Sequence, residues 1–364
     1  MTNEEYWFWL CRIRGIYSKD IKKILEIYES PKELYEDRFI SSELSLTPDQ
    51  INSIEESRKN DKFLGQLERI KEDGVRFIYM EDKDYPDKFR EIPDPPYSFY
   101  LKGNLPAEGF PCIGMVGARA CSGYGREMAD KIAFSLASHG IQVVSGLAVG
   151  IDSISARGAL KGGGKTFAVL GSGIDVIYPR ENIDLYYQII INGGGIISEY
   201  PMGTQPFGWQ FPHRNRLISA LSDKLVVIEA GKHSGTLSTA MHALDQGKDI
   251  YAMPGRVVDR LSEGCNQLIA DGAGILLNAE YIIEDLKTEE RWSRLRDLKE
   301  EKQKAASDTD RSGILKYIGF EPVNASYIME KSGYSPEQVG KFLGELELDG
   351  AITQLSGGYY VVNL

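Results

Sequence analysis

The middle of the chain consists of short apolar runs that are closely followed by glycine and alternate with segments of helical period. Between residues 110 and 285 these runs are CIGMVG, IQVVSG, TFAVLG, GIISEY, KLVVIEA and DIYAMPG. Apolar strands followed by glycine turns and helices predict a parallel sheet that is covered on both faces. We therefore expect an α/β fold whose core is an extended Rossmann-like parallel sheet, with ligands bound at the carboxyl ends of its strands.

Two smaller parts flank this core, which we place at residues 63–286. Residues 1–62 have helical periodicity and predict a small all-α N-terminal domain of the SAM-like or helix-hairpin-helix-like type. Residues 287–311 are charged and predict a linker. Residues 312–364 predict three helices and a hairpin that turns at Ser356-Gly357-Gly358, the pattern of a C-terminal winged-helix-like domain.

Composition excludes several classes of protein. The formal net charge is −11, so the chain as a whole does not attract polyanions, and a nucleic-acid site has to be a local basic cluster. The four cysteines lack CxxC spacing, which excludes a zinc ribbon and favours reduced thiols. No apolar run reaches the roughly 18 residues of a membrane span, and the N-terminus lacks a basic signal-peptide region. We expect a cytoplasmic protein without metal, cofactor or membrane contact.

Two common nucleotide-binding motifs are incomplete. The stretch Gly162-Gly163-Gly164-Lys165-Thr166 resembles the end of a P-loop, but Ala159 stands where the motif needs glycine, and a strand rather than a helix follows. The glycines after the first core strand, at positions 117, 123 and 125, do not form GxGxxG. Neither motif therefore predicts an ATP or dinucleotide site.

The loop after CIGMVG nevertheless favours an anion. It contains Gly117, Arg119, Ser122 and Gly123, and Tyr124 follows at the start of a helix. Backbone N–H groups at a helix N-terminus attract negative charge, and a guanidinium can hold a phosphate through two hydrogen bonds. A tight turn without a ligand explains the glycines, but an arginine and a serine in the same turn favour phosphate binding.

A second segment interleaves aromatic and cationic side chains. It reads Phe207-Gly208-Trp209-Gln210-Phe211-Pro212-His213-Arg214-Asn215-Arg216 and leads into a helix at RLISALS. Aromatic faces beside guanidinium groups are typical of single-strand sites, where bases stack and phosphates pair with arginine. Each aromatic ring is equally well explained as a core residue, but Arg214 and Arg216 are harder to explain as core.

Two further turns follow neighbouring strands. A solvated surface side chain would explain the arginine of the first turn taken alone, and the second turn opens a helix. Because the carboxyl ends of parallel strands share one edge, the four turns together predict a groove for a polyanionic or nucleotide ligand. The residues of these two turns are Gly173, Arg180 and Asn182 after TFAVLG, and Ser234, Gly235 and Thr236 after KLVVIEA.

In this order the blocks resemble the DNA-processing protein A family (DprA/Smf). The blocks are VGARACSGYG, SGLAVGID, TFAVLGSGIDVIYPREN, GGIISEYPMGTQP, FPHRNRLISALS, VVIEAGKHSGTLSTA, YAMPG and NQLIADGAG. The resemblance implies a Rossmann-like, non-catalytic protein that binds and protects single-stranded DNA. It also implies a homodimer formed through the core, and loading of the RecA recombinase during DNA uptake (natural transformation) or recombination.

The resemblance also implies which residues contact DNA. Arg119, Arg214 and Arg216 match the phosphate-contacting arginines of the family, and Arg180 stands where the family tends to place a basic residue. Replacing Arg119 and Arg214 by alanine is expected to weaken DNA binding while the fold stays intact. The full set of candidates is Gly117, Arg119, Ser122, Gly123, Tyr124, Ser145, Gly146, Lys165, Gly173, Arg180, Asn182, Phe211, Arg214, Asn215, Arg216, Ser234, Gly235 and Thr236.

Two other functions are weighed against this one. Rossmann-like hydrolases of nucleoside monophosphates need a glutamate near the ribose, and Glu199 and Glu229 follow strands in this chain. A winged-helix transcription factor is disfavoured because residues 312–364 carry three lysines, no arginine and six acidic residues. We expect that tail to contact protein or to regulate the chain rather than to read DNA.

Overall fold

A computed structural model describes residues 1–41, 43–59, 62–287 and 314–363. Within these ranges the core is a sheet of nine strands in the order β1-β2-β6-β5-β4-β3-β7-β8-β9. The strands are β1 (Val75–Tyr79), β2 (Ser98–Gly103), β3 (Cys112–Val116), β4 (Gln142–Ser145), β5 (Thr166–Leu170), β6 (Gly195–Ser198), β7 (Lys224–Val227), β8 (Asp249–Ala252) and β9 (Gly274–Ile275).

Strands β3 to β9 are parallel, and the six strands predicted from the apolar runs are confirmed. The chain runs outwards from β3 to β6 and then returns to place β7 on the other side of β3. This reversal opens a crevice at the carboxyl ends of β3 and β7, where sheets of this kind bind ligands. The sheet is mixed rather than wholly parallel, because β1 and β2 are antiparallel to their neighbours.

Helices cover both faces of the sheet, as the buried strands require. One face packs against α7, α8 and α13 through residues such as Ile132, Ile151 and Ile282, and the other against α10, α11 and α12 through residues such as Leu217 and Ala240. The helices of the core are α6 (Asp87–Arg90), α7 (Gly123–Ser138), α8 (Ile151–Lys161), α9 (Ile183–Ile191), α10 (Gln210–Leu221), α11 (Thr236–Asp245), α12 (Glu263–Ala270) and α13 (Ala279–Leu286).

The N-terminal helices share a hydrophobic core with the edge of the sheet. Trp7 and Phe8 are buried and pack towards β1, where Phe8 meets Phe77 edge to face with ring centroids 5.0 Å apart. The same apolar cluster continues to Tyr100 and Leu170. These helices are α1 (Asn3–Leu10), α2 (Ser18–Ile27), α3 (Pro31–Glu36), α4 (Pro48–Ser57) and α5 (Lys62–Glu72).

The C-terminal part is a winged helix with its own core of Ile328, Leu343 and Ile352. The predicted hairpin is confirmed, and Gly357 and Gly358 both take positive φ at its turn. Of the first predicted helix, the described residues contain only a 3-10 turn, because the chain becomes extended before Pro322. The elements are β10 (Val323–Asn324), α14 (Ala325–Ser332), α15 (Pro336–Leu348), β11 (Ile352–Leu355) and β12 (Tyr359–Val362).

The outer face of this hairpin is covered by the core. Leu355 and Val361 are buried but do not belong to the winged-helix cluster. Gly163 lies against them, and a β carbon there would stand 3.2 Å from Val361 Cγ2. The wing therefore packs on the glycine loop before β5. Apart from Lys287, the predicted linker at 287–311 lies outside the described residues. Among the described helices, none combines the length and the apolarity needed to cross a bilayer.

Candidate nucleic-acid interface

The loops that follow β3, β4 and β7 meet the N-terminal half of α10 around a pocket of about 570 Å³ at the carboxyl edge of the sheet. This is the crevice that the strand order predicts. Its lining includes many of the candidate residues and brings them together from three separate parts of the sequence. They are Gly117, Arg119, Phe211, Arg214, Asn215, Ser234, Gly235 and Thr236.

Arg119 is the exposed cation of this pocket. Its guanidinium carbon lies 5.0 Å from the centre of the Phe211 ring, and it has no carboxylate partner among the described residues. The Arg119 backbone is held by close packing against Gly150, whose φ is +82° and whose missing side chain leaves room for the Arg119 carbonyl. Arg119 is therefore a fixed but unpaired positive charge.

The aromatic and basic segment is helical, which differs from our expectation of a loop leading into a helix at RLISALS. Helix α10 begins at Gln210, so Arg214, Asn215 and Arg216 lie within it. Pro212 is its third residue, where the missing N–H costs nothing because first-turn N–H groups have no helical partner. Since residues on a helix point in different directions, the two arginines do not share an environment.

Arg214 is a buried residue of the core, which corrects the expectation drawn from the sequence. Its side chain is 4% exposed and donates hydrogen bonds to the Gly146 carbonyl at 2.9 Å, to the Val169 carbonyl, and to Asn215 Oδ1 at 3.1 Å. Burial lowers the pKa of Arg214 to about 10, while the nearby Asp152 carboxylate opposes that shift. Arg214 therefore ties α10 to the ends of β4 and β5.

Arg216 is also buried and faces away from the pocket, towards carboxylates. It donates to Glu199 at 2.7 Å and to Asp94 at 3.0 Å. His213 joins this cluster, with Nε2 3.5 Å from Asp94 Oδ2. Its hydrogen bond and the Arg216 charge hold the pKa of Asp94 down at about 2. The charge of Arg216 is already balanced, so the expected phosphate contact of Arg216 is corrected to a structural ion pair.

An aromatic surface lies beside Arg119. Phe211 lies within 6.0 Å of the Arg214 guanidinium carbon as well as under Arg119, and its ring centroid is 5.8 Å from that of Tyr178. Arg119 and Arg214 therefore meet at one ring, as the shared edge predicts. Tyr178 is exposed, and Trp209 is 63% exposed at the start of α10. Sequence reasoning missed Tyr178 as a site residue, although its place beside Arg180 in a glycine-rich turn was a usable signal.

The N-terminus of α7 already holds an anion from the chain itself. Ser122 caps the helix, and both its backbone N–H, at 2.9 Å, and its hydroxyl donate to the buried carboxylate of Glu229. The expectation that Ser122 binds an external phosphate is therefore corrected, because Glu229 accepts both of its hydrogen bonds, whereas the role of Gly123 stays a prediction. Gly123 has open space around it, and Tyr124 is exposed beside a neighbouring pocket.

The remaining turns contribute unequally to the edge. Arg180 is exposed and has no ion pair among the described residues, whereas Asn182 is buried and donates to the Leu147 carbonyl at 2.9 Å. Ser145 is buried and donates to the Met115 carbonyl at 2.6 Å, and Gly173 is buried against Pro201. Asn182, Ser145 and Gly173 therefore support the loops from within, which corrects their expected role as surface contacts.

The turn before α11 completes the opposite wall of the pocket. Gly235 precedes the helix and is exposed, and Ser234 Oγ accepts a hydrogen bond from Thr236 N at 3.2 Å. Asn215 reaches across from α10 and donates to Ser238 Oγ at 2.9 Å. Small polar groups thus face Arg119 across the pocket, as the sequence predicts.

Lys165 does not belong to this edge. It precedes β5, so it lies at the amino ends of the parallel strands, opposite Arg119. It also lines a pocket against the winged helix. Lys165 is therefore removed from the candidate groove, because a residue before a strand and a residue after a parallel strand lie at opposite edges of the sheet.

The structure also places the groups that a hydrolase would need. Glu229 accepts hydrogen bonds from Ser122 at the N-terminus of α7, and Glu199 forms an ion pair with Arg216. Neither is therefore a free carboxylate at the pocket. Asp152 is the acid nearest the pocket, and it is buried beside Arg214, where it accepts from Gly146 N at 3.1 Å. In the described ranges we find no group of three or more His, Cys, Asp or Glu side chains arranged for a metal ion.

Comparison with known proteins identifies the family and the fold. A family model described as DNA recombination-mediator protein A matches residues 76–287, and one described as DprA winged helix domain matches residues 299–358. Protein Smf of Escherichia coli is 32% identical over 364 residues, covering 99% of this chain and 96% of the relative. DNA processing protein DprA of Streptococcus pneumoniae is 40% identical over 206 residues, covering 57% of this chain and 72% of the relative.

Two solved structures share the fold. The X-ray structure of DprA from Streptococcus pneumoniae matches with a TM-score of 0.67 at 32% identity and covers 78% of this chain and 98% of that one. DNA processing protein A from Helicobacter pylori, described for its single-stranded DNA binding mode, matches with a TM-score of 0.52 at 30% identity, covering 58% of this chain and 96% of that one. This chain belongs to the DNA recombination-mediator protein A family, which includes the proteins called DprA and Smf.

Proposed function

We propose that this protein binds and protects single-stranded DNA along the carboxyl edge of its sheet and loads RecA on it during DNA uptake or recombination. The observation that carries the proposal is the cluster of Arg119, Phe211 and Tyr178, an unpaired guanidinium beside two aromatic rings on a chain of net charge −11. The Helicobacter pylori relative is described as a single-stranded DNA binder, which supports the same ligand here.

Each group has a role in this proposal that follows from its exposure. Arg119 and Arg180 contact phosphates, because they are exposed cations without ion pairs among the described residues. Tyr178 and Trp209 offer faces on which unpaired bases stack. Arg214 acts as a positioning residue that holds α10 and therefore Phe211 in place. The bases of a duplex are already stacked, so this arrangement favours the single strand.

The test is fluorescence anisotropy with labelled oligo(dT) and with duplex DNA of equal length. We expect a preference for the single strand and a slope of log affinity against log salt of about −0.7 for each phosphate contacted. Arg119→Ala should weaken binding to all sequences alike. Arg90→Ala is the matched control, since Arg90 also lies over an aromatic ring, at 4.7 Å from Tyr85, but outside the pocket. Unchanged affinity in Arg119→Ala would move the site elsewhere.

The handover to RecA needs a separate measurement. We propose that the bound strand becomes available to the recombinase faster than a strand covered by a single-strand-binding protein. RecA filament assembly on such covered DNA should accelerate when this protein is added and should not accelerate with Arg119→Ala. Equal assembly with and without the protein would contradict the loading role.

We also propose a homodimer through the core. Exposed apolar side chains lie on the side of the sheet that ends at β9: Met241 and Leu244 on α11, which packs on β7 and β8, and Ile275 and Leu277 in and beyond the edge strand β9. Met241→Asp with Leu244→Asp should give monomers in sedimentation experiments. Ile191→Asp, which changes an exposed apolar residue on α9, should leave the oligomeric state unchanged. A dimer that survives the first pair of changes refutes this interface.

A further inference from the structure

The N-terminal helical part carries a cluster of cations that the proposed function does not use. We name this set the N-terminal basic face: Arg14 and Tyr17 in the turn between α1 and α2, and Lys19, Lys22 and Lys23 on α2. Among the described residues none of its four cations has an ion pair. In a strongly acidic chain, four neighbouring cations without carboxylate partners form a local positive field.

Helical geometry collects the three lysines on one side of α2. Lys19, Lys22 and Lys23 are three and four residues apart, which places them next to one another on the helix surface. The opposite side carries Ile21 and Ile24, which are buried in the N-terminal core. Lys19 and Lys23 repel each other at this spacing by roughly 0.2–0.5 kcal/mol. Glu26 follows Lys22 by four residues, but it forms no ion pair with a lysine of α2 among the described residues. Packing of the buried side of α2 does not require these lysines.

Tyr17 adds an aromatic group to the same face. Its side chain is 64% exposed at the N-cap of α2, and its ring makes no aromatic contact with another described residue. An exposed aromatic ring among cations is the combination that binds an unpaired base and its phosphates. A double helix stacks its own bases, so the ring favours a single strand.

The N-terminal basic face is attached to the edge that bears the proposed groove. Arg12, in the same turn, donates to the Tyr100 hydroxyl at 3.3 Å on β2, the strand that pairs with β6. At the other end of α2, Glu26 lies near Tyr97, whose pKa is raised by burial first and then by the charges of Asp94 and Glu26. Asp94 in turn bonds Arg216 on α10. The turn that carries Arg14 and Tyr17 is therefore tied to the sheet at Tyr100, which pairs with Ser198 at the carboxyl end of β6.

We propose that the N-terminal basic face is a second contact for single-stranded DNA, which holds the strand where it leaves the groove. The proposal rests on the proposed function and extends it, since it predicts a binding site longer than the groove. Lys19, Lys22 and Lys23 meet phosphates, and Tyr17 stacks on a base.

The experiment compares oligo(dT) of about 8 nucleotides, which fits one groove, with oligo(dT) of about 30, which reaches both regions. The variant is Lys19→Gln/Lys22→Gln/Lys23→Gln in the full chain. The control is Lys32→Gln/Lys71→Gln, which removes two lysines of the same helical part that are paired with Glu36 and Glu4.

We expect the triple variant to bind the long oligonucleotide with a salt slope lower by about 2, because each phosphate contact contributes about 0.7. If parent and variant bind the long oligonucleotide equally at 1 M salt, the variant should bind it about 100-fold more weakly than the parent at 0.1 M salt. Binding of the short one should not change, and the control should behave as the parent. Tyr17→Ala should weaken only long-strand binding and Tyr17→Phe should restore it. A photoreactive halogenated deoxyuridine in the long strand should crosslink to Tyr17.

Three results would overturn the proposal. Unchanged affinity of the triple variant for the long strand removes the contact. If the triple variant loses affinity equally for the short and the long oligonucleotide, the lysines either contact DNA in the groove or are needed for folding. Circular dichroism separates these two cases. A loss confined to duplex DNA assigns the face to another ligand. Failure of the proposed function gives a different pattern, in which Arg119→Ala leaves binding of the short strand intact.

Discussion

Replacing Arg214 by alanine should unfold the protein more readily rather than simply weaken its hold on DNA. The guanidinium donates to the carbonyls of Gly146 and Val169 inside the core, and its charge opposes the rise that burial causes in the pKa of Asp152. Without it, the Asp152 carboxyl has to take up a proton or remain charged without a counter-ion. The two carbonyls also lose their donor in a place that water does not reach.

The size of this effect follows from the burial of Arg214 and Asp152, whose opposite charges interact inside the core. Removing one partner of a buried charge pair costs about 3–5 kcal/mol, against a typical total stability of about 5–15 kcal/mol. For a domain of this size each kcal/mol corresponds to about 2–4 °C, so the melting temperature should fall by roughly 6–20 °C. Arg119→Ala, in contrast, changes an exposed side chain and should alter stability by less than about 0.5 kcal/mol.

The assay is urea unfolding followed by tryptophan fluorescence, together with oligo(dT) anisotropy on the same samples. Arg214→Met combined with Asp152→Asn should recover most of the lost stability, since the unpaired charge is then gone. If Arg214→Ala stays within about 1 kcal/mol of the parent but loses DNA affinity, Arg214 contacts the ligand directly and our assignment of a positioning role is wrong. That result would restore the expectation from the sequence, in which both arginines can be removed without harm to the fold.

Four further outcomes follow from the structure. Gly150→Ala puts a β carbon against the Arg119 carbonyl at a φ of +82°, so unfolding experiments should show a loss of more than about 1 kcal/mol and anisotropy a weaker complex. Asp94 has its pKa depressed from 3.8 to about 2 in the folded chain, so its contribution to stability is complete above pH 3.8 and disappears as the pH falls to 2. Unfolding measured across that range should depend less on pH in Asp94→Asn. Trp209→Ala should weaken oligonucleotide binding by about 1–3 kcal/mol if a base stacks on the exposed indole, and quenching of its fluorescence in the parent checks the same contact. Gly163→Val should release the hairpin of the winged helix, which faster amide exchange in β11 and β12 would reveal.

The strands and the carboxyl-edge pocket could be predicted because their signals are local. A run such as TFAVLG marks a buried strand and its turn, and parallel pairing then brings Arg119 and Phe211 to one edge. Which charged side chains are buried and which partners they bond could not be predicted from such local signals. Arg214 bonds a carbonyl 68 residues away, and Ser122 meets Glu229 across 107 residues. Sequence spacing shows which groups are charged but not which distant partner neutralises them.

The hairpin of the winged helix could be predicted from a local signal, whereas the short strand β9 could not. Glycines at 357 and 358 mark the turn of the hairpin directly, since both residues adopt positive φ there. Strand β9 has two residues and pairs only with β8. A strand of two residues is too short to show a hydrophobic pattern in the sequence. The direction of β5 places Lys165 before the strand and therefore at the edge opposite Arg119, which corrects its place among the candidates.

The carboxylate of Glu229 at the start of α7 changes what this type of fold can accept. In dinucleotide-binding relatives of the architecture, the corresponding first helix is the seat of a cofactor's pyrophosphate. In this chain the Glu229 carboxylate occupies that position and accepts the hydrogen bonds of Ser122 that a pyrophosphate would otherwise receive. The exposed loops at the carboxyl edge remain accessible to a ligand. An open edge of this kind suits a polymer that crosses it and extends beyond it on both sides.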